Sequence, residues 1–146
     1  MDSKRAYIVV GNQTLASSRL QREVKARAAD GPARFHFVVP AEKAQAHSSW
    51  TNGDAHASAS ERLVVALAEF TADGLDVDGE VADAHVVDAV RTATTQDHYD
   101  EIILSTLPPG LSRWIHMDLA RRLERGVKLP VRHIIVPFDD VATRNA

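Results

Sequence analysis

Apolar residues along the chain gather in five short runs, and stretches of amphipathic, helical spacing separate them. Short apolar runs bounded by turn residues suit buried strands, whereas recurrence at three- and four-residue intervals suits a helix with one buried face. The first run, Ala6 to Val10, leads into Gly11-Asn12-Gln13-Thr14, a turn in which Asn12 or Thr14 can cap a helix through its side-chain oxygen. A helix is predicted from Leu15 to about Ala29, with Leu20, Val24 and Ala28 as its inner stripe and Gly31-Pro32 as its stop. Phe35 to Val39 is the second strand and ends at Pro40. Ala41 to Gly53 shows no period and reads as a loop, in which His47, Ser49 and Trp50 could cover a site. Ser58 and Glu61 have capping-box spacing, with Asp54 as an earlier alternative, ahead of a stripe at Leu63, Ala66, Leu67 and Phe70 that ends near Asp73-Gly74.

Leu75 to Val81 alternates apolar and polar residues, the pattern of an edge strand with one wet face, and Gly79 within it reads as a bulge. Val86, Val87, Val90 and Ala93 form a third helical stripe, with Asp83 as the expected cap and an end near Gln96. Glu101 to Leu104 is the fourth strand, and Ser105 to Gly110 reads as a loop because its paired prolines can continue neither helix nor ladder. Ser112 is the expected cap of a helix with Ile115, Leu119 and Leu123 inside and Gly126 at its end. Val131 to Val136 is the last strand, and the residues after Pro137 read as a frayed tail.

Strictly alternating strands and helices imply a parallel sheet, because each parallel crossover needs a connection long enough to hold a helix. The predicted fold is one α/β domain over residues 1–146, a three-layer sandwich of five parallel strands and four helices. Right-handed crossovers and an edge-like third strand favour strand order 3-2-1-4-5. In that order the winding reverses between the first and fourth strands, and ligands of such sheets bind in the crevice at the carboxyl ends of the flanking strands. The expected site therefore joins Gly11, Asn12 and Thr14 to Ser105, Thr106, Gly110, Ser112 and Arg113, with Val39 and Pro40 at the end of the second strand. Arg113 stands out because a cation in a first helical turn opposes the helix dipole, which an anionic ligand would relieve. Arg121 is a further source of positive charge.

Composition narrows the functions. The chain has 146 residues, 17 Lys plus Arg against 20 Asp plus Glu, a formal charge of -3 and no Cys. Thiolate metal sites, Cys nucleophiles and disulfides are excluded, and no overall attraction for nucleic acid or anionic lipid exists. No apolar run approaches the length of a signal peptide or membrane span, so a soluble, unprocessed, cytoplasmic chain is expected. None of the seven His residues stands at metal-ligand spacing. Asp76-Val77-Asp78-Gly79-Glu80 has only a fragment of a calcium loop, and Gly110-Leu111-Ser112 lacks the second glycine of a nucleophile elbow. No enzyme is predicted.

The fourth strand, Gly110-Leu111-Ser112, the helix after it and Leu129-Pro130-Val131 resemble the C-terminal half of universal stress protein domains, and the element order extends the similarity over nearly the whole chain. The resemblance implies a homodimer through the fifth strand, Val131 to Val136, which a charge at Ile134 would disturb. ATP-binding members of that family have a glycine-x-x-glycine loop after the fourth strand, then nine residues, then glycine and a serine or threonine. Such a loop brings bare backbone amides against phosphate at a helix start. Here only Gly110 matches: the first glycine falls at Ser105 or Leu107, the distal glycine at Ala120 and the distal hydroxyl at Arg121. Asn12 stands where family members often carry an acidic residue. No cofactor is certain on this reading. What the resemblance implies is a small anionic ligand, ATP or another adenine nucleotide, bound for regulation. The competing expectation is a ligand-free dimeric interaction protein whose crevice is plugged by Leu107, Pro108, Pro109 and tryptophan.

Overall fold

A computed structural model describes residues 4–41, 52–82, 85–108, 113–137 and 139–140, with backbone only for 52–54 and 113–118. The elements are β1 (Arg5–Val10), α1 (Ser18–Ala29), β2 (Ala33–Pro40), α2 (Asn52–Ala72), β3 (Asp76–Ala82), α3 (Val86–Gln96), β4 (Glu101–Thr106), α4 (Arg113–Gly126) and β5 (Val131–Ile135). The strands form one parallel sheet in the order β3-β2-β1-β4-β5, the predicted doubly wound arrangement.

Side-chain alternation along β1 divides the core in two. Tyr7 and Val9 face one way, into a cluster with Leu20 and Val24 of α1 and Leu63, Ala66 and Phe70 of α2. Ala6, Ile8 and Val10 face the other way, against Val87, Val90 and Ala93 of α3 and Leu123 of α4. Burial on both faces is why this strand reads as an unbroken apolar run. The edge strand β3 pairs only with β2 and alternates half-buried with exposed residues for most of its length, as its pattern predicts.

Several local expectations are corrected. The cap of α1 is Ser17, whose Oγ accepts the Leu20 N–H at 3.1 Å; Asn12 and Thr14 instead belong to a turn closed by backbone bonds from Leu15 to Asn12 and from Ser17 to Thr14. The second helix begins at Asn52, so Ser58 and Glu61 lie inside it rather than at its start, and Asp54 falls in its first turn. Ala55 and Ala59, both buried, carry its inner stripe two turns and one turn ahead of Leu63, and alanine is a stripe residue too small to register as one. There is no bulge at Gly79: the β2–β3 register runs one to one from Arg34↔Asp76 to Pro40↔Ala82. A Cβ at Gly79 would stand 2.7 Å from Leu63 Cδ1 and 2.9 Å from the Phe37 carbonyl oxygen, so glycine here permits close packing of α2 on the sheet.

The cap position of α3 is His85, in the left-handed conformation at φ 55° and with no side-chain bond to the helix amides; Asp83 lies outside the described residues. Strand β4 continues through Ser105 and Thr106, which pair with Ile134 and Ile135 of β5. The first residues of the expected loop are thus the buried end of a strand. Past Pro137 the chain is not simply frayed, because the Asp140 carboxylate accepts the N–H groups of Ser18 and Arg19 at the start of α1.

Candidate functional site

Five buried polar side chains stand out among the described residues: Asn12, Thr14, Ser17, Ser105 and Thr106. All follow β1 or end β4, the two strands flanking the reversal of the sheet. Elsewhere these strands are filled with apolar residues, and buried polar groups need partners. Thr14 Oγ1 donates to the Ser105 carbonyl at 3.2 Å and accepts from Ser105 Oγ at 2.7 Å, tying the turn after β1 to the end of β4. Gly11 makes room for this approach, since a Cβ there would lie 3.0 Å from Thr14 Oγ1 and 3.4 Å from Ser105. Thr106 Oγ1 shares a 2.8 Å hydrogen bond with His133 Nε2 of β5.

Asn12 joins three elements. Its Nδ2 donates to the Pro40 carbonyl at the end of β2, and its Oδ1 accepts from Arg62 Nη1 of α2, both at 2.5 Å. An open cleft of about 370 Å³ lies beside this contact, between the turn after β1 and α2. Leu15, Ala16, Val65 and Ala66 form its apolar walls, while Asn12, Gln13, Arg62, Glu61 and Glu69 supply polar edges. A larger groove of about 740 Å³ runs at the opposite, amino end of the strands. It is bordered by the surface ion pairs Lys4–Asp76 and Lys25–Asp73 and lacks the strand reversal that concentrates polar groups at the carboxyl end.

The structure thus brings Gly11, Asn12, Thr14, Pro40, Ser105 and Thr106 together. Val39 is at the right level, but its side chain is wholly buried between the sheet and α1/α2, leaving only its backbone near the edge. Gly110 and Ser112 lie outside the described residues, as do His47, Ser49 and Trp50. Arg113 opens α4 as expected. Arg121 is exposed eight residues further along, roughly 12 Å down the helix from its start at the carboxyl edge. On β5 the expected interface residue Ile134 is 4% exposed, in the core, whereas Ile135 is 44% exposed. Among the described residues no group of His, Asp and Glu could hold a metal ion. His36, for example, is engaged through both ring nitrogens at 2.8 Å by Asp78 and Glu80 on the neighbouring strand.

Two residues of this region have no sequence signature. Arg62 adjoins the apolar stripe of α2 and looks like any solvated helix cation until the helix is laid against the turn after β1. His133 occupies a wet-looking position in a short strand, and only the β4–β5 pairing brings it to Thr106.

Neither a family model nor a curated protein matches this chain by sequence. Solved structures do match by shape. A universal stress protein from Archaeoglobus fulgidus superposes with a TM-score of 0.59 at 14% identity, over 91% of this chain and 99% of that one. The fold is that of the universal stress proteins. A structure of the universal stress protein from the same organism in complex with dAMP gives a TM-score of 0.54 at 16% identity, over 92% of this chain and 99% of its own. An Arabidopsis thaliana universal stress protein family protein with AMP bound gives 0.55 at 11% identity, over 93% and 94%. With both chains covered almost end to end, the universal stress protein fold accounts for all nine elements rather than for a shared half, although identities this low carry the fold alone.

Proposed function

We infer that the chain is a small-ligand-binding module of the universal stress protein type, which takes an adenine nucleotide at the carboxyl edge of its sheet and acts by binding rather than catalysis. The observation that carries this reading is the concentration of buried polar side chains at the strand reversal, beside a cleft with apolar walls and a few polar edges. The Thr14 and Ser105 hydroxyls satisfy each other without a ligand, yet each can rotate to meet one. The dAMP and AMP complexes of the structural neighbours support the choice of nucleotide. No helix among the described residues is long and apolar enough to cross a membrane, and we place the Cys-free chain in the cytoplasm.

The test is the thermal midpoint with and without millimolar ATP, ADP or AMP. A nucleotide present at a hundred times its Kd adds about 2.7 kcal/mol to native stability, which for a chain of this size raises the midpoint by roughly 5–10 °C. No shift with any of the three sinks the nucleotide reading.

A second reading, a ligand-free dimeric interaction protein, is favoured by a different observation. Strand β5 is an open edge whose Ile135 is exposed. An edge of this kind offers unpaired backbone groups and an apolar side chain to a second copy. On this reading the mutual Thr14–Ser105 bonds close the crevice permanently.

A further inference from the structure

We propose that copies of this chain associate head to tail, with β5 and the basic surface beside it in one copy docking on the acidic edge strand β3 of the next. Among the described residues β5 pairs only with β4 and β3 only with β2, so the sheet ends in two open strands that run in the same direction. Setting β5 beside β3 of a second copy continues the parallel sheet. Joining β5 to β5 about a two-fold axis in the membrane of the sheet instead makes an antiparallel contact between identical surfaces.

Charge separates the two arrangements. From Arg121 to Arg132, the second half of α4 and the run into β5 carry Arg121, Arg122, Arg125, Lys128 and Arg132, all exposed, against one acid, Glu124. From Asp73 to Ala82 the chain carries four acids and no Lys or Arg. Lys25 and Lys4 meet Asp73 and Asp76, while the Asp78 and Glu80 carboxylates flank the His36 ring and remain 77% and 46% exposed. Pairing of β5 with β5, or of β3 with β3, therefore opposes like charges, and pairing of β5 with β3 joins unlike ones. The sheet's own register agrees. Val131, Ile102, Ile8, His36 and Asp78 form one row across it, and His133, Leu104, Val10, Val38 and Glu80 another. Side-chain alternation puts Asp78 and Glu80 on the face that α4 covers at the other edge, where Ile135 adds an exposed apolar side chain. A second copy continued along these rows sets the two acids beside the strand that the basic stretch enters. Each added copy presents the same two open edges, so growth does not stop at two chains. The proposal is independent of the nucleotide reading and replaces the β5–β5 contact of the dimeric one with β5–β3.

Sedimentation velocity over a concentration series, in dilute and in concentrated NaCl, tests this. The mean mass of the wild type should rise past two chains in dilute salt, and association should be about tenfold weaker in concentrated salt, where charges on the two edges are screened. Asp78→Lys with Glu80→Lys on β3, and separately Arg121→Glu with Arg125→Glu on α4, should each yield monomers. An equimolar mixture of the two variants should form pairs, because the first keeps the basic edge and the second the acidic one. Circular dichroism establishes that both are folded. If the β3 variant is not, the α4 variant decides by itself: its changes lie at exposed helix positions, and a β5–β5 dimer relieved of like charges would hold or tighten rather than dissociate. A wild type that is monomeric throughout, a mass that stops at two chains, a β3 variant that associates as the wild type does, or a mixture that stays monomeric overturns the proposal.

Discussion

Asn12 joins the turn after β1, the end of β2 and helix α2 through one carboxamide, and it can do so because an amide is donor and acceptor at once. Its NH₂ meets the Pro40 carbonyl while its oxygen meets Arg62. A carboxylate could serve Arg62 but would face Pro40 with a second acceptor. That accounts physically for Asn at a position where the resembling family often has an acid. Asn12→Asp should therefore lower stability by about 1–2 kcal/mol in urea unfolding, despite the stronger charge pairing to Arg62, because a carbonyl loses its donor. Asp100 makes a pH-dependent contribution. The Ala6 N–H, donating at 2.9 Å, and the neighbouring His98 hold its carboxyl below the usual carboxylate range. A carboxylate with a depressed folded pKa contributes fully above its unfolded value of about 3.9 and loses that contribution as pH falls through the folded value. The stability gap between wild type and Asp100→Asn should be constant from about pH 5 to 8 and shrink below about pH 4, measured by denaturation at each pH.

Helix α2 and strand β3 show how elements are placed. The helix ends in a Schellman motif: Gly74 N–H donates to the Thr71 carbonyl at 2.9 Å and Leu75 N–H to the Phe70 carbonyl at 3.1 Å, with Gly74 at φ 86°. Gly74→Ala forces a side chain into the left-handed region and should cost about 1 kcal/mol. Gly79→Ala should cost more, about 2–3 kcal/mol, because its Cβ meets a backbone carbonyl as well as Leu63. Thermal melts of both variants check the order, and an equal loss would contradict the packing role of Gly79. The stop near Gly74 was legible because left-handed termination is a local property written in one residue. The start of α2 was not, since Ala55 and Ala59 become core residues only when the helix lies on the sheet. Gly79 misled for the same reason: sequence shows that a side chain is missing, and the fold shows which neighbour occupies its space.

For the molecule as a whole, the open edge at β5 is the surface on which a dimer would form. Ile135→Lys should convert a dimer to a monomer in light scattering if β5 forms the contact, while leaving the far-UV circular dichroism spectrum unchanged, because the side chain lies outside the core. Ile134→Lys cannot serve as this test, because a charge placed in the core destabilises the monomer itself. An Ile135→Lys chain with the same mass as wild type would remove β5 from consideration as the interface.

The sequence by itself determined the number and kind of elements, the parallel sheet and the location of the reversal. Apolar periodicity and crossover length are properties of contiguous residues, and right-handed winding leaves few orders to choose from. It also marked Gly11, Asn12, Thr14 and Ser105 through their position after apolar runs. Only the tertiary structure decided what these residues do: Thr14 pairs with Ser105 across 91 positions, Asn12 takes Arg62 from 50 positions away, and Asp140 reaches back 122 to Ser18. Such contacts depend on where whole elements come to rest on the sheet, and no local pattern encodes that.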